Sequence, residues 1–92
     1  MSVTAFRPAT AITFLSVEQE RQRFLAHCES LKDNVLVIDL LEVIHCDSAG
    51  IAFLIEMKRI CNRLGRLSKI TNMPASANAL AEFYGIRELL ND

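Results

Sequence analysis

The hydrophobic and polar positions change period several times along the chain, and each change marks an element. The clearest stretch is Val35-Leu36-Val37-Ile38-Asp39-Leu40-Leu41, a near-continuous apolar run. It is too short for a helix and rich in branched side chains, which predicts a central strand buried on both faces. Upstream, Val3–Phe6 and Ala11–Leu15 are shorter β-prone pieces broken at Arg7-Pro8. Proline donates nothing to a ladder, so the pair of pieces predicts a turn and an antiparallel hairpin at the sheet edge. Downstream, Leu67–Met73 reads as a third apolar-leaning strand.

Helical periods fill the intervals. Ser16-Val17-Glu18-Gln19 has the form of a capping box, with Ser16 as the cap and Gln19 reaching back. Val17, Phe24, Leu25, Cys28 and Leu31 follow at helical spacing, and Lys32-Asp33-Asn34 turns into the central strand. After that strand a short loop leads to His45-Cys46-Asp47-Ser48-Ala49-Gly50. Asp47 is a good N-cap, because its carboxylate can accept from the free amides of a first turn that starts at Ser48. The helix runs to about Leu64, with Gly65 as the left-handed residue that ends it. Pro74 and Ser76 precede a last helix, Ala77–Tyr84, closed by Gly85 and a Schellman contact from Ile86. Residues Arg87 to Asp92 add a turn or fray. The order β-β-α-β-α-β-α predicts an α/β fold: one domain over residues 1–92, with a small mixed sheet and helices packed mainly on one face.

Drawn as a wheel, the helix from Ser48 has two apolar sectors. Gly50, Phe53, Leu54, Met57, Ile60, Cys61 and Leu64 face the sheet, and Gly50 lets helix and strand approach closely. A second stripe holds Ser48, Ile51, Ala52, Ile55, Arg59 and Asn62. It is either a widened core face or a docking patch for another protein, with Ser48 at its rim. Docking is the preferred reading, because the stripe continues from the Asp47-Ser48 loop. Such a loop, at the carboxyl end of a central strand, is where open α/β sheets place their working surface.

Composition narrows the classes. With 92 residues, 51% of them hydrophobic, the chain is long enough for one core without metal or disulfides. Ten basic and eleven acidic residues leave a formal charge of -1, which gives no bulk attraction to nucleic acid or anionic membranes. Three cysteines without a CxxC pair fit a reducing compartment. There is neither a leader-like start nor a run approaching ~18 apolar residues. The expectation is a soluble, cytoplasmic protein without direct membrane insertion.

Little in the chain points to catalysis. A Gly-rich phosphate loop ending in Lys-Ser/Thr is absent. His27 and His45 have no metal-ligand spacing with the cysteines. His45 and Cys46 are sequence neighbours at a strand end, where side chains diverge, so they make a poor base and nucleophile. Asp39 is expected to be satisfied by nearby backbone or to lie at an exposed strand end. No carboxylate pair suits acid–base work, and neither catalytic residue, metal nor cofactor is expected. Ser48 is either an ordinary first-turn residue or a regulatory hydroxyl. A phosphate on it would sit at the positive helix end and place about two negative charges on the stripe.

Val37-Ile38-Asp39-Leu40 followed by Asp47-Ser48-Ala49-Gly50-Ile51-Ala52, the helix and Gly65 resembles the STAS domain family, over most of the chain. Within that family the length, Gly50-Ile51-Ala52-Phe53-Leu54 and the tail from Asn72-Met73-Pro74 to Leu80-Ala81-Glu82-Phe83-Tyr84-Gly85 look most like the MlaB-type subunits of Mla phospholipid ABC transporters. The resemblance implies a non-catalytic cytoplasmic subunit that binds the transporter's ATPase subunit and stabilises or regulates it. It would then be peripheral at the inner membrane through that partner, in indirect association with the permease, in a system that maintains outer-membrane lipid asymmetry. Carried over, Ser48 takes the hydroxyl position of the motif, and Asp47, Ile51, Ala52, Ile55 and Arg59 become partner contacts. The alternative within the family is an anti-sigma-factor antagonist in a partner-switching cascade, regulated by phosphorylation of Ser48. Ala49 stands where those proteins usually carry a second small hydroxyl residue.

Overall fold

The computed structural model describes residues 5–90. In chain order the elements are β1 (Ala11–Ile12), α1 (Val17–Ser30), β2 (Val35–Asp39), β3 (His45–Cys46), α2 (Ser48–Arg63), β4 (Leu67–Thr71), α3 (Ala75–Phe83) and α4 (Arg87–Leu90). The α/β class matches the sequence reading, while the strand pairing differs from it: the described strands form two two-stranded parallel sheets, β1 with β3 and β2 with β4.

Every described pairing is parallel. β2 runs beside β4, with Val35 opposite Leu67 and Asp39 opposite Thr71. On its other side Phe6 bridges Ile38 in parallel, exchanging 2.9 Å hydrogen bonds with Val37 and Asp39. β1 pairs with β3, Ala11 with His45 and Ile12 with Cys46. The expected antiparallel hairpin is therefore replaced by one segment that passes Arg7-Pro8 without reversing. Of its first piece, Val3 and Thr4 lie outside the described residues. The proline ring is fully buried, so it fills space between two stretches of pairing and makes no turn.

Alternation along β2 sorts its side chains. Leu36, Ile38 and Leu40 are buried beneath the helices with Phe24, Leu54 and Met57. Full burial of each such side chain stabilises the fold by about 1.5–3 kcal/mol. The opposite face begins with the exposed Val35, Leu67 and Lys69, so β2 is not covered on both sides throughout. It ends on Asp39, which is buried yet fully engaged. Asp39 accepts from Asn72 Nδ2 (2.9 Å), Leu41 N–H (3.0 Å) and Arg7 Nε (3.0 Å). Asn72 adopts φ 58°, a left-handed conformation that asparagine tolerates, and this ends β4 two residues before the expected Met73.

A second buried carboxylate, Glu20 on α1, accepts from Ala9 N–H and from Arg23, whose guanidinium stands 5.3 Å from the centre of the Phe6 ring. It clamps the first strand segment onto α1. Ser16 does not cap α1: its hydroxyl donates to Ala11 O at 2.9 Å and accepts from Thr13 N–H at 3.0 Å. The helix ends are as expected. Gly65 (φ 72°) and Gly85 (φ 70°) complete Schellman motifs in which Arg66 N–H reaches Cys61 O and Ile86 N–H reaches Ala81 O, both at 2.9 Å. α3 starts earlier than expected, at Ala75, and Arg87–Leu90 adds a turn that buries Leu90.

Of the three glycines, Gly50 alone is closely approached by other parts of the chain. A Cβ there would overlap the Ile12 carbonyl oxygen and lie 2.9 Å from Cys46 Sγ. Gly50→Ala is expected to cost about 3 kcal/mol in urea unfolding, because backbone must shift to admit the methyl group. Asp39 supplies a separate pH signature. The Asn72 hydrogen bond, aided by Leu41 and Arg7, holds its pKa below the ordinary 3.8 against the opposing effect of burial. A depressed folded pKa means that this contribution is complete above pH 3.8 and is lost as pH falls through the folded value. Thermal melts in that acid range should fall less steeply for Asp39→Asn than for the native chain.

Candidate functional site

The site is built where β1 and β3 end and α2 begins. β3 delivers Asp47 in extended conformation (φ -103°, ψ -170°), and the chain then enters α2. Each carboxylate oxygen of Asp47 has its own partner. Oδ1 accepts from Gly50 N–H at 3.0 Å, the capping bond read from the sequence. Oδ2 accepts from Phe14 N–H at 3.1 Å. The cap itself stabilises α2 by about 1 kcal/mol. The second bond ties the β1–α1 turn to the start of α2.

That turn is tightly made. Thr13 O accepts from both Ser16 N–H and Val17 N–H at 2.9 Å, and Thr13 Oγ1 accepts from Leu15 N–H at 3.3 Å. Ser16 turns its hydroxyl inward on Ala11 and Thr13. The tip consequently holds Phe14 and Leu15 out in solvent, 71% and 83% exposed. They were read from the sequence as the end of a strand. The Thr13 and Ser16 hydroxyls flanking them are the turn-forming signal that separates them from β1.

Ser48 is exposed on the first turn of α2, and its hydroxyl makes no hydrogen bond to any described residue. Of the stripe below it, Ala52, Arg59 and Asn62 are exposed. Ile55 is partly buried and packs against the core. Ile51 departs from the expectation of a partner contact, because it is 2% exposed and belongs to the core. α2 packs on α3 and α4 as well as on α1 and the sheet, and this widens its buried arc to include Ile51 and Lys58. At the other end Leu64, assigned to the sheet face, is half-exposed at the helix cap. The exposed surface here thus comprises Ser48, Ala52 and Arg59 with the edge of Ile55, and Phe14 and Leu15 on the adjoining turn.

The neighbouring thiol is inert. Burial, with the Asp47 carboxylate adding to it, pushes Cys46 up to about 11, so it is protonated at neutral pH. Its Sγ points to Asp47 O at 3.6 Å. Cys61 is likewise pushed up to about 11, chiefly by burial. No group of three His, Cys, Asp or Glu among the described residues is placed to hold a metal ion. No described helix is long and apolar enough to cross a membrane.

No curated protein matches the chain. A family model described as "Mlab, STAS domain" matches residues 7–91, which takes in β1 to β4, the Asp47 cap and all of α2. The chain belongs to the STAS domain family, of the MlaB type.

Proposed function

We propose that this protein is a non-catalytic STAS subunit that docks the ATPase of an Mla-type phospholipid ABC transporter and stabilises or regulates it. The observation that carries the reading is the held but unsatisfied surface at the start of α2. Two apolar side chains, Phe14 and Leu15, stand in solvent next to a free Ser48 hydroxyl, on a turn braced by Asp47. Surface of this kind is retained where another macromolecule covers it. Bracing limits the conformational entropy lost on binding. The MlaB-type family membership supplies the class of partner. In this reading the protein is cytoplasmic and reaches the inner membrane only through the ATPase and, indirectly, the permease. Asp47 acts through the turn it holds, while Ser48, Ala52, Ile55 and Arg59 contribute contact.

Binding to a purified Mla-type ATPase tests this directly. Ser48→Glu and Ala52→Arg should each raise Kd about tenfold or more while the melting temperature stays close to that of the native chain. Glutamate at the first helical position suits the helix dipole, and position 52 is open, so neither change strains the fold. Native-like affinity in both variants would sink the assignment of this face.

One observation favours a second reading, a phosphorylation-regulated antagonist in a partner-switching cascade. The Ser48 hydroxyl is exposed at a helix N-terminus, where a phosphate is compatible with the fold. Incubation with a cognate kinase and ATP should then add one phosphate to Ser48 and none to Ser48→Ala. An unchanged intact mass of the native chain would refute it.

A further inference from the structure

β4 is an edge strand: among the described residues it pairs with β2 alone. Leu67 N–H reaches Asn34 O and Thr71 O receives Leu40 N–H, at 2.8 and 2.9 Å. The peptide groups of residues 67, 69 and 71 therefore face β2. By the alternation of a parallel strand, those of Ser68 and Ile70 point outward, away from the sheet. Neither outward N–H finds a described acceptor. Lys58, buried on α2, reaches this edge and holds Ser68 through Oγ at 2.9 Å and the carbonyl at 3.5 Å.

The edge borders a trough. A depression of about 410 Å³ lies along Val35, Leu67, Ile70 and Leu90. It adjoins another of about 460 Å³ under Ile55, Arg59 and Leu89, and the two share Lys58, Leu67 and Ser68. Leu67 and Leu89 are 69% and 56% exposed, an apolar lining left open to water. The charge is one-sided. Arg59 and Lys69 line the trough and no described carboxylate does, in a chain whose formal charge is -1. Arg59 and Lys69 are exposed and form no ion pair with a described residue.

We propose that this edge and trough take up an extended acidic segment of another protein as an added strand of the sheet. The outward N–H groups of Ser68 and Ile70 and the Ile70 carbonyl supply its backbone hydrogen bonds, the open leucines receive apolar side chains, and Arg59 and Lys69 meet its carboxylates. A second copy of the chain is a poorer occupant. Edge-to-edge pairing would bring the cationic strands together, and like charges across a ladder destabilise it. The trough shares Ile55 and Arg59 with the margin of the proposed ATPase-docking face, while β4 with Leu67 and Lys69 lies outside that face, and the inference does not depend on that reading.

The test uses the full chain and a short synthetic peptide of alternating valine and glutamate, with a lysine-for-glutamate peptide as control. Amide exchange by NMR should show Ser68 and Ile70 newly protected by the acidic peptide and not by the control. Lys69→Glu, at an exposed position, should weaken binding about tenfold. Ser68→Pro removes one outward N–H and should abolish binding; if that variant fails to fold, the protection pattern and Lys69→Glu decide. The proposal is overturned if Ser68 and Ile70 stay unprotected, if the control binds equally, or if these amides are protected by dimerisation without peptide. A chain that binds the ATPase normally while failing here loses this inference alone.

Discussion

Much in this small fold depends on how closely the first turn of α2 lies against β1. Gly50 brings helix backbone onto the Ile12 carbonyl, at a separation that leaves no room for a side chain. From that contact the Asp47 carboxylate can cap α2 and still reach the amide of Phe14. One short side chain then fixes both a helix start and the turn from the neighbouring strand. A methyl group at position 50 would press the two apart and threaten the bond to Phe14 before it disturbed the rest of the core. The exposed turn that carries Phe14 and Leu15 is therefore placed by backbone proximity, with hydrogen bonds acting as the fastener.

Legibility in the sequence followed the range of the interaction. Local signals were read correctly where one residue's own chemistry decides the outcome. Asp47 caps, Gly65 and Gly85 turn left-handed, and Leu36, Ile38 and Leu40 are buried. Strand direction is not legible locally, because Arg7-Pro8 has the form of a reversal. In the fold Arg7 bonds Asp39, Pro8 is buried, and the chain continues parallel. Both residues are explained by partners some thirty positions away or by the helix above them, which no window around position 8 contains. Ser16 illustrates the same limit, since its hydroxyl had a competing acceptor, Ala11 O, that lay behind it in the chain.

The candidate site was half legible for a related reason. A wheel gives angles on α2 but not the width of the sector its neighbours cover. Ile51 and Ile55 both stood on the second stripe, yet α3 and α4 draw Ile51 into the core and leave Ile55 at its margin. Phe14 and Leu15 were hidden by the opposite error. Apolar letters next to a strand look like strand, and only the Thr13 hydroxyl on the Leu15 amide and the inward-turned Ser16 hydroxyl place them on an exposed tip.

The two surfaces differ in physical kind, and the difference bears on what each can recognise. The start of α2 is apolar, braced and close to neutral, so affinity there would come from burial of Phe14 and Leu15 and would depend weakly on salt. The β4 edge offers unmet peptide groups beside cations, so recognition there would follow backbone geometry and charge and would weaken as salt rises. α2 carries both, with Ser48 and Ala52 toward one, Lys58 toward the other, and Ile55 and Arg59 at the margin between them. The helix seated on Gly50 would thus link a shape-selective surface to a charge-selective one if both proposed surfaces bind. A partner that engages both would gain from their fixed spacing without any change in the fold.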